Sequence, residues 1–154
     1  MPIRVPVADS CAFCDYLAGI AECAWVMRAA EVSSFVNLRQ YERGALLVIP
    51  NRHAPTVFDL QEAEIAAVHN EAARVGRAAV EAFGATGLNI FQNNGVDSGQ
   101  TVPHYHVHVV PRYPDGDPQK VFRAASTPIL PFAERLKIAA AVRARLTQGP
   151  DARS

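Results

Sequence analysis

Five histidines occur in this chain of 154 residues, and three of them, His104, His106 and His108, fall at alternate positions of the otherwise apolar run QTVPHYHVHVVPR (100–112). An imidazole with a pKa near 6.5 is mostly neutral at pH 7, so one ring nitrogen keeps its lone pair. Such a nitrogen can ligate a metal, accept a proton or attack an electrophilic phosphorus. In an extended segment alternate side chains share a face, about 6.6 to 6.8 Å apart, so the three rings line one side opposite Tyr105, Val107 and Val109. Spacing alone leaves three readings open: decoration of an exposed edge, direct metal ligation by two or three of the rings, and nucleophilic catalysis. The first is the least favourable, because polar rings among valines need partners wherever that face is covered.

A second pair with chemical potential is Cys11 and Cys14 in CAFC. Two thiolates separated by two residues make half of a zinc site. The same spacing serves a redox pair, which calls for a following helix in a βαβ setting, or two buried thiols. Cys23 fits neither scheme and is assigned to the core. Just before the histidines, Asn93, Gly95, Gly99, Gln100 and Thr101 supply amide and hydroxyl donors with little bulk, which suits a close approach to phosphate and equally suits a plain turn. Asn37 follows Phe35 on one strand face, and its amide can donate to and accept from a pair of ribose hydroxyls or cap a turn. Arg52 and Arg112 flank these motifs and are candidates for steering an anion. His69 reads as a surface or packing residue.

Around these groups the chain is ordinary. Fifteen basic residues cancel fifteen acidic ones, with 49% hydrophobic and 19% charged residues, so nothing favours nucleic-acid binding through a charged face. No stretch reads as a secretory signal or a membrane span, and an odd cysteine count fits a reducing compartment, so a cytoplasmic protein is expected. The length suits a single domain over residues 1–154.

The elements that must position the groups follow from periodicity. AECAWVMRAAEVSSFVNL reads as two short strands around a turn, ALLVIP (45–50) as a central third ended by Pro50, and TGLNIFQNN (86–94) as a fourth. The histidine run is the fifth. Between them Ile65, Val68, Ala72, Val75, Ala79 and Phe83 recur at spacings of three and four, which predicts one long helix of about 23 residues and roughly 35 Å. Asp59 with Glu62 resembles a capping box at its start, and Gly84 suits its C-terminal end. A last helix starts with Pro131 at its first position and ends near Gly149 and Pro150. The expected class is α+β: an antiparallel sheet of about five strands, one long helix and a C-terminal helix.

His104-Tyr-His106-Val-His108-Val-Val, with CAFCDYLAG (11–19), FVN (35–37), LLVIPNRH (46–53) and NNGVDSGQTV (93–102), resembles the histidine triad family of nucleotide hydrolases and transferases. The resemblance runs in the family's order over about residues 11–113; residues 114–154 form an extension that resembles nothing placed here, and ERGA (42–45) departs from the Pro-Gly-His of many members. It implies that His106 is the nucleophile, forming a covalent nucleotidyl-histidine at an α-phosphate while its other nitrogen donates to a backbone carbonyl of the same strand. It further implies phosphate contacts from His108, Asn93 and Thr101 beside Gly99, a place for Gln100 near the leaving or attacking oxygen, and a nucleoside site at Phe35 and Asn37. By the same resemblance Cys11, Cys14, His53 and His104 form a closed, structural zinc site. The implied substrate is a purine nucleotide, dinucleoside polyphosphate or nucleoside phosphoramidate, and the implied assembly is a homodimer; from charge balance and hydropathy neither nucleic acid nor membrane is expected as a partner. A nucleotide-binding regulatory or scaffold protein with little catalysis is the alternative.

Overall fold

Strand-forming residues flank each turn, and the computed structural model, which describes residues 3–120 and 126–147, joins them into one five-stranded antiparallel sheet. The strands are β1 (Trp25–Arg28), β2 (Val32–Val36), β3 (Leu46–Pro50), β4 (Gly87–Gln92) and β5 (Val107–Arg112), in the order β1-β2-β3-β5-β4. Among the described residues three α-helices accompany them: α1 (Ala12–Leu17), α2 (Glu62–Phe83) and α3 (Phe132–Leu146). No helix among the described residues is long and apolar enough to cross a membrane.

The register explains how one sheet serves two purposes. Directly paired residues of antiparallel strands share a face. Val36 pairs with Leu46, and Leu46 with Val109, and this row packs with Val68, Ala72, Val75 and Ala79 of α2 and Ala139 and Val142 of α3 in the main core. On the opposite face Trp25 pairs with Phe35, Phe35 with Leu47, Leu47 with His108, and Phe91 with His108. That second face carries the aromatic cluster of Phe13 and Phe35 and all the chemistry. Helices α2 and α3 thus cover one side of the sheet, and α1 packs on the other, beside the histidines.

The elements differ from the sequence reading in four places. Helix α2 begins after Gln61, not Asp59, with Gln61 and Glu64 forming the capping box. Asp59 is committed backwards instead, accepting from the Thr56 amide at 2.9 Å and its hydroxyl at 2.7 Å, which closes a one-turn 3-10 helix at Val57–Asp59. Pro131 sits at the N-cap of α3 rather than inside it, and Gly149 and Pro150 lie outside the described residues. Regular pairing of β5 starts at Val107, so His106 lies in the irregular lead-in and His104 in a bend, its amide donating to the Val102 carbonyl at 2.8 Å. Finally, α1 has no counterpart in the sequence reading. Six residues carry too little periodicity to show a helix, and its start depends on the Cys11 sulfur accepting from the Cys14 amide.

Two arginines that flank the motifs are spoken for. Arg52 holds Glu64 with two hydrogen bonds of 2.8 and 2.7 Å, and that guanidinium, with the Gln61 amide, holds the Glu64 carboxyl down to about 2. Arg112 donates to the Asn89 carboxamide at 2.7 Å and lies 3.8 Å from Glu42. Both therefore brace loops instead of facing an anion. At the ERGA turn (42–45) Gln40 holds the backbone, donating to the Asn37 and Ala45 carbonyls and accepting from the Gly44 and Ala45 amides.

Candidate active site and metal centre

The rings of His104 and His106 are fixed by what one nitrogen of each does. His106 Nδ1 lies 2.7 Å from the His104 carbonyl, and a carbonyl only accepts, so Nδ1 carries the proton and Nε2 keeps its lone pair. His104 is oriented the other way: its Nε2 donates to the Pro50 carbonyl at 2.8 Å, which frees Nδ1. Two adjacent histidines of one run therefore present opposite nitrogens to opposite tasks. Burial pushes the His104 imidazole down to about 4 and lowers that of His106, so both are neutral at pH 7.

Nδ1 of His104 points into the cysteine pair. It lies 3.4 Å from the Cys11 sulfur and 3.6 Å from the Cys14 sulfur, and His53 Nδ1 lies 3.3 Å from the Cys14 sulfur. All four ligand atoms fall within 4.8 Å of one another. With Zn–S near 2.3 Å and Zn–N near 2.0 Å, the edges of a tetrahedron are about 3.5 Å. The four side chains thus fit zinc, and the hydrogen bond from His104 to Pro50 is the outer support that such a ligand requires. Burial and the neighbouring Cys11 sulfur push the Cys14 thiol up to about 11, a cost that a bound dication removes by taking the thiolate. Because His106 uses neither nitrogen here, direct ligation by the whole triad does not match the geometry.

Aromatic rings enclose the histidines. Phe13, between the two cysteines, meets His106 edge to face with centroids 5.2 Å apart, His104 at 5.9 Å and Phe35 at 5.3 Å. His108 stacks on Phe91 at 4.6 Å with ring planes 5° apart. Its Nδ1 is buried with no partner among the described residues, as is Asn37 Nδ2, and the two side chains share with Phe35 the face of the sheet opposite α2. Burial, then the nearby His106 ring, push His108 down to about 3.

The loop between β4 and the triad is built on positive φ angles at Gly95 (+87°) and Gly99 (+91°). A Cβ on Gly95 would also collide with Ile3 and come within 3.0 Å of the Arg4 carbonyl, since the N-terminal segment lies against the loop. Gly95→Ala is expected to cost about 1–3 kcal/mol in backbone strain, read as a fall in thermal midpoint of several degrees; an unchanged midpoint contradicts it.

A family model, the HIT domain, matches residues 19–115. The chain belongs to the histidine triad family. Among its relatives, the Protein hit of Bacillus subtilis is 36% identical over 110 residues, 71% of this chain and 76% of that one. An asymmetrical bis(5'-nucleosyl)-tetraphosphatase of Schizosaccharomyces pombe is 41% identical over 80 residues, 52% of this chain but only 44% of the relative. A crystal structure of a Zn-bound histidine triad family protein from Mycobacterium smegmatis superposes with a TM-score of 0.78 at 31% identity, covering 93% of this chain and 97% of that one.

For this histidine triad protein the expected site residues divide by placement. Cys11, Cys14, His53 and His104 come together, as do His106, His108, Phe35 and Asn37 on one face. Thr101 and Gly99 are exposed, and Asn93 is half-buried with its amide near Gly99. Gln100 is buried, with its amide turned into the loop backbone. Phe35 is only 2% exposed beneath Phe13, Tyr16 and Trp25, so α1 covers much of its ring. Phe13, Phe91 and Tyr16 escaped the sequence reading; the one signal for Phe13 was its place inside the cysteine pair.

His108 also makes folding sensitive to acid. Its folded pKa lies below the unfolded value of 6.5, so its contribution is fully present above pH 6.5. As pH falls from 6.5 toward about 3 the unfolded chain takes up a proton that the folded one refuses, and stability drops by up to about 1.4 kcal/mol per pH unit. His108→Asn is expected to flatten this slope by one proton in denaturant titrations at several pH values; identical slopes contradict it.

Proposed function

We propose that this enzyme cleaves a phosphoanhydride or phosphoramidate bond at the α-phosphate of a nucleotide, through a covalent nucleotidyl intermediate on His106. The observation that carries the reading is the hydrogen bond from His106 Nδ1 to the His104 carbonyl, which leaves Nε2 unprotonated and free of the metal ligand set. Nε2 bonds to phosphorus as the bond to the leaving phosphate or amine breaks. Water then displaces the ring, breaking the P–N bond and releasing a nucleoside monophosphate, with one water consumed overall. The carbonyl on Nδ1 is placed to stabilise the positive charge that the ring gains in between.

The other residues supply binding. Asn37 Nδ2, an unpaired buried donor, suits a ribose hydroxyl, and Thr101 with the loop amides suits phosphate oxygens. Zinc on Cys11, Cys14, His53 and His104 would have no open position for water, so its contribution is to tie α1 and the β3 exit to the triad run. The strongest comparison in favour is the relative named as a tetraphosphatase. A homodimer continuing the sheet is consistent with β4 being an edge strand with Ile90 41% exposed.

The reading is tested by incubating the protein with a panel of dinucleoside polyphosphates and nucleoside phosphoramidates in oxygen-18 water and identifying the products by mass. A nucleoside monophosphate carrying the label is expected from at least one substrate class. No cleavage across the panel, with AMP still bound, would instead favour the regulatory binder.

A further inference from the structure

We propose that Gln100 is a positioning residue that ties the phosphate loop to both histidine-bearing segments of the zinc site, so that zinc and a nucleotide's phosphate each tighten the other's binding. The proposal rests on the metal and nucleotide readings above. Gln100 is 3% exposed, and its primary amide is fully engaged. Oε1 accepts from the Gly95 amide at 2.6 Å, while Nε2 donates to the Pro55 carbonyl at 2.7 Å and the Val102 carbonyl at 2.9 Å. Its partners decide which end is which, because an amide N–H only donates and carbonyls only accept. No donor remains for a substrate oxygen.

The partners are what make this more than a loop brace. Pro55 lies two residues after His53, and Val102 two residues before His104. Those two segments are also joined by the Tyr105 amide donating to the Ala54 carbonyl at 2.6 Å. A second thread runs parallel, with the Asn94 carboxamide accepting from the Val57 amide at 2.8 Å. A metal that holds His53 and His104 together holds the two carbonyls at the spacing Nε2 needs. Nε2 in turn sets Oε1 against Gly95, whose φ of +87° forms the base of the loop. The exposed end of that loop, Gly99 and Thr101, is then arranged before a phosphate arrives, which removes part of the ordering cost of binding. By linkage the effect runs both ways: whatever factor zinc adds to phosphate affinity, phosphate adds to zinc affinity.

The test uses the full chain, AMP as the probe, and calorimetry with zinc-loaded and chelator-stripped protein. In the unmodified chain zinc removal is expected to weaken AMP binding by about tenfold, within the ordinary range of coupling between sites. Gln100→Met should keep one zinc per chain, bind AMP about tenfold more weakly, and lose nothing further when zinc is removed. Gln100→Glu keeps an acceptor for Gly95 but sets oxygen against the two carbonyls, and should also uncouple the sites. Independently of any variant, hydrogen exchange at the Gly95 amide should accelerate when zinc is stripped from the unmodified chain. The coupling is overturned if Gln100→Met retains it, if AMP affinity is the same with and without zinc, or if Gly95 exchange ignores the metal. A zinc-dependent Gly95 amide in a protein that binds no AMP overturns the nucleotide reading instead, and the two failures are thereby told apart.

Discussion

His106→Ala turns over no substrate at a measurable rate while still binding AMP and still holding one zinc per chain. The expected loss is on the order of 10³-fold or more, since removing a nucleophile eliminates the covalent route and leaves only what binding and electrostatics give. Binding survives because the ribose and phosphate contacts proposed for Asn37, Thr101 and His108 do not pass through His106. Zinc survives because the His106 ring spends its Nδ1 on the His104 carbonyl and points no nitrogen at the cysteines. His106→Asn is the stricter form of the test, because its carboxamide can keep a donor for that carbonyl with less loss of packing against Phe13. Activity in either variant within a few-fold of the unmodified protein removes the proposed mechanism. Loss of zinc on replacing His106 would revive direct metal ligation by the triad.

Cys14→Ser or exhaustive chelation strips the metal and lowers the thermal midpoint by roughly 10 °C. A ligand present at about 1,000 times its dissociation constant stabilises a fold by about 4 kcal/mol, and for a chain of this size each kcal/mol shifts the midpoint by about 2–4 °C. The effect is large because the four ligands come from three places far apart in the chain: Cys11 at the N-cap of α1 and Cys14 within it, His53 after β3, and His104 in the run leading to β5. Without the metal the six residues of α1 are held mainly by Phe13 and its aromatic neighbours. His104→Ala should release zinc as well, whereas Cys23→Ser should not. Burial pushes the Cys23 thiol up to about 12, and it packs beside the second cluster, outside the ligand set. Zinc analysis alongside calorimetry checks each case. A midpoint unchanged by chelation, with no metal bound at the start, contradicts a structural zinc.

Much of this arrangement was legible in the residues because it depends on spacing along one strand or one helix. Alternation placed the three histidines opposite Tyr105, Val107 and Val109, and in the fold Val107 and Val109 do face α2 while the Tyr105 hydroxyl lies 3.3 Å from His69 on that helix. The three- and four-residue recurrence from Ile65 to Phe83 produced α2 over most of its length. Local chemistry that competes for the same side chain was harder. Asp59 and Glu64 are both acids near a helix start, and which one caps depends on Thr56 capturing the first and Arg52 fixing the second.

Residue type and short-range period carried the class of fold, the strand count, the alternation of the triad and the cysteine pair as half of a metal site, whereas His53 and His104 as its other two ligands came from the family resemblance. Only the folded structure shows which nitrogen of His104 and of His106 is free, because that depends on carbonyls supplied by Pro50 and by His104 itself. Pairing of β4 with β5 set the stacking of Phe91 on His108, and the docking of α1 set its cover over Phe35. Loop packing turned Gln100 inward as well, toward the Pro55 and Val102 carbonyls. Cross-strand register and the contacts to Pro50 and Pro55 are relations between residues far apart in the chain, which no local pattern encodes, and the two-residue contact from His106 to the His104 carbonyl depends on a ring orientation that alternation does not set.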